Sequence, residues 1–213
     1  MKFILYFSLF LIMGTITFSQ VDIGVMGGIH STTHDIMPDP GFEEKVRVES
    51  TVGIFANIPM YRSFSLQIQG MYIRKGSDLG ITGFNEDIKT SAEYLEFPIL
   101  ARYTFGAAQD VIKPYYFIGP SVGFLLKARQ TASFIPKEYE DDVEDDSKSY
   151  EISVCVGGGF QILLDKVSLY AQLKYMHGLT NVDDVEEAGD RSESIYSRGI
   201  SYTLGISLPI GGN

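Results

Sequence analysis

The sequence predicts an all-β protein: an eight-stranded antiparallel up-and-down barrel that spans a membrane. Three observations lead there. Eight segments alternate apolar and polar residues with a period of two. Each is roughly 10 to 16 residues long, against about 5–6 for a strand of an ordinary domain and about 9–11 for a tilted membrane-crossing strand. The connections between them alternate long and short without exception.

The first run covers residues 21–30, with Val21, Ile23, Val25 and Ile29 on one face. In the second, 46–58, Val46, Val48, Val52, Ile54, Ala56 and Ile58 oppose Arg47, Glu49, Thr51 and Asn57. The third, 64–75, sets Phe64, Leu66, Ile68 and Tyr72 against Ser65, Gln67 and Gln69. The fourth, 93–105, sets Leu95, Phe97, Ile99, Ala101, Tyr103 and Phe105 against Glu96 and Arg102. The fifth, 114–127, groups Tyr116, Ile118, Val122, Phe124 and Leu126. The sixth, 150–164, groups Ile152, Val154, Val156, Phe160 and Ile162. The seventh, 167–177, sets Val167, Leu169, Ala171, Leu173 and Tyr175 against Ser168, Gln172 and Lys174. The eighth, 196–210, sets Ile200, Tyr202, Leu204, Ile206 and Leu208 against Ser201, Thr203 and Ser207.

The connections 31–45, 76–92, 128–149 and 178–195 are long; 59–63, 106–112 and 165–166 are short. Short periplasmic turns and long outer loops mark bacterial outer-membrane barrels. Charge divides the same way. The long connections carry formal charges of −3, −2, −4 and −5, and the short turns are neutral in sum. The acidity therefore projects from one end. Aromatic residues of the apolar faces gather near the short turns (Phe64, Tyr103, Phe105, Tyr116, Phe160) and near the long loops (Tyr72, Phe124, Tyr150, Tyr175, Tyr196), where interfacial girdles belong.

Composition agrees. The chain has 213 residues, with 13 Tyr, 14 Phe, no Trp and 22 Gly, a mix suited to strands and tight turns. A net charge of −10 argues against a nucleic-acid partner, which needs a basic face. Cys155 is the single cysteine, so there is no disulfide framework and no paired-cysteine metal site. It reads as a small buried residue.

Residues 1–19 read as a signal peptide: Lys2, an apolar stretch from Phe3 to Met13, then Thr17-Phe18-Ser19 before cleavage. The barrel domain is then 20–213. Beyond residue 20 no apolar run reaches the ~18 residues of a spanning helix. Membrane entry therefore requires a closed barrel, which leaves no backbone unpaired in lipid.

Alternation alone does not say which face is outside, since a soluble eight-stranded carrier barrel alternates too. The polar face, however, is charged in mid-strand by Arg47, Glu49, Glu96, Arg102, Glu151 and Lys174. An eight-stranded barrel has an interior just wide enough for side chains, and unpaired buried charges cost several kcal/mol. These six residues are expected to form a lumenal network, helped by Gln67, Gln69, Tyr170 and Gln172, that leaves no open pore.

The stretch Tyr94-Leu-Glu-Phe-Pro-Ile-Leu-Ala-Arg-Tyr103 resembles a strand of the PorT-like outer-membrane β-barrel proteins of Bacteroidota. Lys113-Pro-Tyr-Tyr-Phe-Ile-Gly-Pro-Ser-Val-Gly123 resembles the strand that follows, residues 169–181 the penultimate strand, and 201–207 the last. The resemblance implies an OmpA/OmpX-like barrel. One member type belongs to a secretion machinery. The chain departs from outer-membrane barrels generally in ending Pro209-Ile-Gly-Gly-Asn213 rather than on an aromatic residue.

A catalytic site is not apparent. His30, His34 and His177 show no metal spacing, and the first two read as surface residues at a loop entry. A lipid-modifying hydrolase would need a nucleophile, base and orienting acid in reach, and His177 lacks an evident serine. Gly157-Gly158-Gly159 is followed by neither helix nor lysine; it reads as a place where the wall bends or neighbours approach. The acidic residues Glu138, Glu140, Asp141, Asp142, Glu144, Asp145, Asp146, Asp183, Asp184, Glu186 and Glu187 lie in the long loops. They are candidate contacts for a partner or a cation, and the first seven read as a solvated loop.

The expected function is a structural or surface-interaction role in the bacterial outer membrane, without enzyme activity, cofactor or resident metal. The expected partners are outer-membrane lipid and an envelope or secretion protein, with the barrel a monomer. The alternatives are an accessory of secretion or envelope assembly and, less favoured, a lipid-modifying hydrolase.

Overall fold

The computed structural model describes residues 20–34, 42–81, 87–107, 109–134, 137–142, 150–180 and 197–211. The signal segment 1–19 lies outside them. The strands are β1 (Val21–His34), β2 (Phe42–Tyr61), β3 (Phe64–Ile81), β4 (Asp87–Thr104), β5 (Ile112–Phe134), β6 (Lys137–Asp142), β7 (Tyr150–Leu163), β8 (Ser168–Gly178) and β9 (Ser197–Ile210). Eight of them close a ring. Each pairs antiparallel with its neighbour in the order β1, β2, β3, β4, β5, β7, β8, β9, and β9 returns to β1 from Val21↔Ile210 to His34↔Ser197. The barrel therefore has no open edge along its wall.

Two expectations change. The strands run further into the long connections than alternation suggests. Most of the expected loop 76–92 is strand, with β3 reaching Ile81 and β4 beginning at Asp87. A ninth strand, β6, also lies within the expected loop 128–149 and pairs with β5 from Arg129↔Asp142 to Phe134↔Lys137. The cause is geometric. The last register pair of β5 with β7 is Phe124↔Tyr150, and β5 continues from there to Phe134, roughly 30 Å of strand at about 3.3 Å per residue. That free flank is where β6 adds.

The short turns are tight. Only Arg62 and Ser63 separate β2 from β3, and Arg62 takes the left-handed conformation at φ 49°. After β4 the chain reverses at Gly106 (φ 106°), and Asp110 Oδ2 accepts a hydrogen bond from the Ala107 backbone N–H at 2.6 Å. Near these turns Phe64, Tyr103, Phe105 and Tyr116 form a ring cluster, with centroids 4.9 Å apart for Phe64–Tyr103 and 5.6 Å for the stacked Tyr103–Tyr116 pair. This is the expected girdle on that side.

The faces are inverted relative to a soluble barrel. Leu204 is 70% exposed and Ile54 64%, while Arg102 is fully buried and Lys174 nearly so. β8 alternates exposed and buried positions along almost its whole length. Water would not tolerate so continuous an apolar wall, whereas lipid requires it. The lumen is filled by pairing large residues with glycines. A Cβ on Gly24 would stand 2.7 Å from the Phe55 ring. One on Gly157 would stand 2.6 Å from Phe117 and 2.2 Å from the Leu173 carbonyl oxygen. One on Gly159 would stand 2.8 Å from the Tyr115 hydroxyl and 2.1 Å from the Ala171 carbonyl oxygen, so two glycines of the Gly157–Gly159 run admit aromatic neighbours and a close strand approach. Cys155 is buried here as a free thiol.

Candidate functional site: the lumenal charge layers

Inward positions on all eight ring strands supply the polar interior. The register places Glu96 opposite Gly123 and Gly123 opposite Glu151, so both carboxylates stand at one level across three strands. Lys75 reaches the same level from β3. Its Nζ lies 2.8 Å from Glu96 Oε1 and 2.7 Å from Glu151 Oε2, with both carboxylates and the amine almost completely buried. The ammonium also lies 4.6 Å from the centre of the Tyr94 ring. Ser197 Oγ donates to Glu151 Oε1. One cation thus joins two carboxylates near the outer end of the lumen.

The second layer lies toward the short turns. Arg102 Nη2 donates to Gln161 Oε1 at 2.6 Å, and Gln161 Nε2 donates onward to Ser168 Oγ at 3.3 Å. The guanidinium carbon sits 3.7 Å from the Tyr115 ring centre and 5.3 Å from that of Tyr170. Tyr170 donates its hydroxyl to Asp22 Oδ2 at 3.2 Å and accepts from Ser207. Arg102 is therefore held by an amide and two aromatic faces, and its nearest negative group is reached through a tyrosine.

Between the layers, Lys174 Nζ donates to Gln69 Oε1 at 3.3 Å. Gln67 and Tyr115 both donate to Gln172 Oε1. Among the described residues, three buried cations, Lys75, Arg102 and Lys174, thus share the lumen with Glu96, Glu151 and the part-buried Asp22.

Of the six residues expected in this network, Glu96, Arg102, Glu151 and Lys174 are buried inside. Glu49 is half-buried. Arg47 stands opposite Thr32 on β1 by register, and its side chain lies outside the described residues. The expected pairing is corrected in detail. Lys75 joins Glu96 to Glu151, while Arg102 and Lys174 bond to glutamine amides. Lys75 escapes the sequence reading because it ends the third alternating run and looks like a loop residue. Asp22 and Gln161 stand near strand ends and escape for the same reason.

His30 is a further correction. It is fully buried, not at the surface, and its Nδ1 lies 2.8 Å from Ser201 Oγ. The strand continues past it to His34, which turns the expected loop entry into barrel interior. His177 faces outward and is half-buried. Of the acidic candidates, Glu138, Glu140, Asp141 and Asp142 lie in β6 rather than in an irregular loop. Glu144, Asp145, Asp146, Asp183, Asp184, Glu186 and Glu187 lie outside the described residues.

A family model described as "Outer membrane protein beta-barrel domain" matches residues 17–184. No curated protein sequence matches the chain. Among solved structures, the chain is similar to the outer membrane protein OprG of Pseudomonas aeruginosa, with 12% identity, 90% of this chain and 96% of that one covered, and a TM-score of 0.50. It is also similar to Ail, the attachment invasion locus protein of Yersinia pestis (10% identity, 90% and 98% covered, TM-score 0.47). A third similar structure is the outer membrane protease OmpT of Escherichia coli (10% identity, 92% and 98% covered, TM-score 0.37). The OprG likeness supports the fold alone.

Proposed function

The chain belongs to the outer membrane protein beta-barrel domain family and is a small integral protein of the bacterial outer membrane; on that premise we propose a non-enzymatic, structural and surface-interaction role exercised from its outer end. The observation that carries this reading is the filled lumen. Arg102, Phe117, Lys174, Leu100 and Gln67 are all fully buried across the bore, so the barrel is a sealed plug rather than a conduit. What remains available to partners is the outer end, where β2 to β6 continue beyond the closed ring and the acidic connections emerge.

The resemblance of 94–123 to PorT-like proteins of Bacteroidota supports a second reading, an accessory of secretion or envelope assembly. In either case the barrel acts as a monomer embedded in lipid, with an envelope protein as its partner. The burial of both His30 and Ser201 in the lumen speaks against the pair acting as a hydrolase.

Planar-bilayer recording of the purified barrel tests the sealed lumen. No stepwise conductance is expected. Steady channels at low voltage would overturn the reading. Crosslinking in intact cells, followed by identification of the captured proteins, then separates the two roles: a secretion or assembly component argues for the second.

A further inference from the structure

The lipid-facing wall is not evenly convex. Where β7, β8, β9 and β1 run side by side, outward positions Gly27, Gly158 and Ala171 floor a groove of about 800 Å³. Phe160, Leu173, Tyr202 and Leu204 form its banks. Register explains the shape: Leu204 stands between Gly27 and Ala171, and Leu173 stands between Gly158 and Tyr202. Large and small residues alternate around the wall, and the small ones leave the space between the large.

Gly27 is the informative position. A Cβ there would meet the Thr51 carbonyl oxygen at 3.5 Å and Val52 at 4.0 Å, ordinary contacts, and its φ is not in the left-handed range. Neither crowding nor backbone conformation demands glycine. What glycine does at this site is leave space.

The groove has polarity along its axis. Toward the outer end, beyond Tyr175 and Ile200, His177 and Arg198 are register partners on β8 and β9. Arg198 is exposed, His177 is half-buried, and the Tyr175 ring stacks on the His177 ring at 6.5 Å. In a chain of net charge −10, an arginine stands on the lipid face directly above an apolar groove. A guanidinium there matches phosphate oxygens in a two-point contact, and a lipid acyl chain is what fills an apolar depression on a bilayer-facing wall.

We propose that this groove seats an acyl chain of a phosphate-bearing lipid of the outer leaflet, with the phosphate held at Arg198 and His177. The proposal goes beyond the surface role above and stands whether or not that role is correct.

The test is native mass spectrometry of the mature barrel in detergent, titrated with phosphatidic acid and with diacylglycerol of the same chains. Phosphatidic acid should be retained about tenfold more strongly. Gly27→Leu combined with Ala171→Leu should lose both lipids. Arg198→Gln should abolish the preference while leaving diacylglycerol retention unchanged. Folding of each variant is checked by comparing gel mobility of unheated and boiled samples with that of the unaltered protein; if the double variant does not fold, Gly27→Leu alone and Arg198→Gln still decide the matter. Equal retention of the two lipids by the unaltered protein, or retention untouched by Gly27→Leu, overturns the proposal. So does a dimer that the leucine substitution dissociates, because the occupant would then be a second copy.

Discussion

The two charge layers of the lumen bury cations by different means. Near the outer end, Lys75 is compensated by full opposite charges, with Glu96 and Glu151 both within 2.8 Å. Toward the short turns, Arg102 is compensated by an amide oxygen and two tyrosine rings. An ammonium is a compact point charge that needs oxygen partners, whereas a guanidinium is planar, weakly hydrated and able to stack. The contrast shows that a narrow lumen accepts buried charge in either form, provided that the side chain chosen suits its surroundings.

Removing the cation from the first layer should have the largest effect. Lys75→Met leaves Glu96 and Glu151 buried and unneutralised, and a broken buried pair costs about 3–5 kcal/mol. Urea unfolding of the barrel in lipid vesicles would report it. Adding Glu96→Gln and Glu151→Gln to the same chain should restore most of the loss. If the single variant unfolds like the parent, the layer is not the electrostatic unit described here.

The aromatic layer should respond more gently. Arg102→Lys keeps the charge but gives up the planar contact with Tyr115, so we expect a loss of about 1–2 kcal/mol in the same assay. A loss as great as that of Lys75→Met would mean that the rings contribute little beyond space. In the wall itself two glycines should differ, and the outward one has the smallest effect of all. Gly157→Ala forces a Cβ to 2.2 Å from a carbonyl oxygen and should cost about 1–3 kcal/mol. Gly27→Ala, whose Cβ has room, should stay within about 0.5 kcal/mol. Equal costs at the two glycines would contradict the inside–outside assignment.

The strands were legible because membrane walls impose a period of two over long stretches, as β8 and β9 show. β6 was not legible. Its sequence Lys137-Glu-Tyr-Glu-Asp-Asp142 carries no apolar alternation and is rich in residues that strands disfavour. It forms a strand because β5 overruns β7 and presents unpaired backbone groups, a condition set by residues far from β6. The lumenal site was legible in part. Glu96, Arg102, Glu151 and Lys174 stand out as charges in mid-strand, whereas Asp22 stands at the start of β1 and Lys75 closes the alternating run although β3 itself continues to Ile81, and at such places a charge is unremarkable in the sequence.

By itself the sequence determined that this is a long-stranded barrel with an apolar exterior, a charged interior and an acidic outer end. Period, run length and loop alternation are local properties, and each follows from the pleat or the bilayer thickness. Only the tertiary structure decided which charges share a layer. Alternation assigns a residue to a face but not to a height, and height depends on the stagger between neighbouring strands accumulated around the ring. That stagger brings Lys75 to Glu151, 76 residues away, and leaves Arg102 among tyrosines.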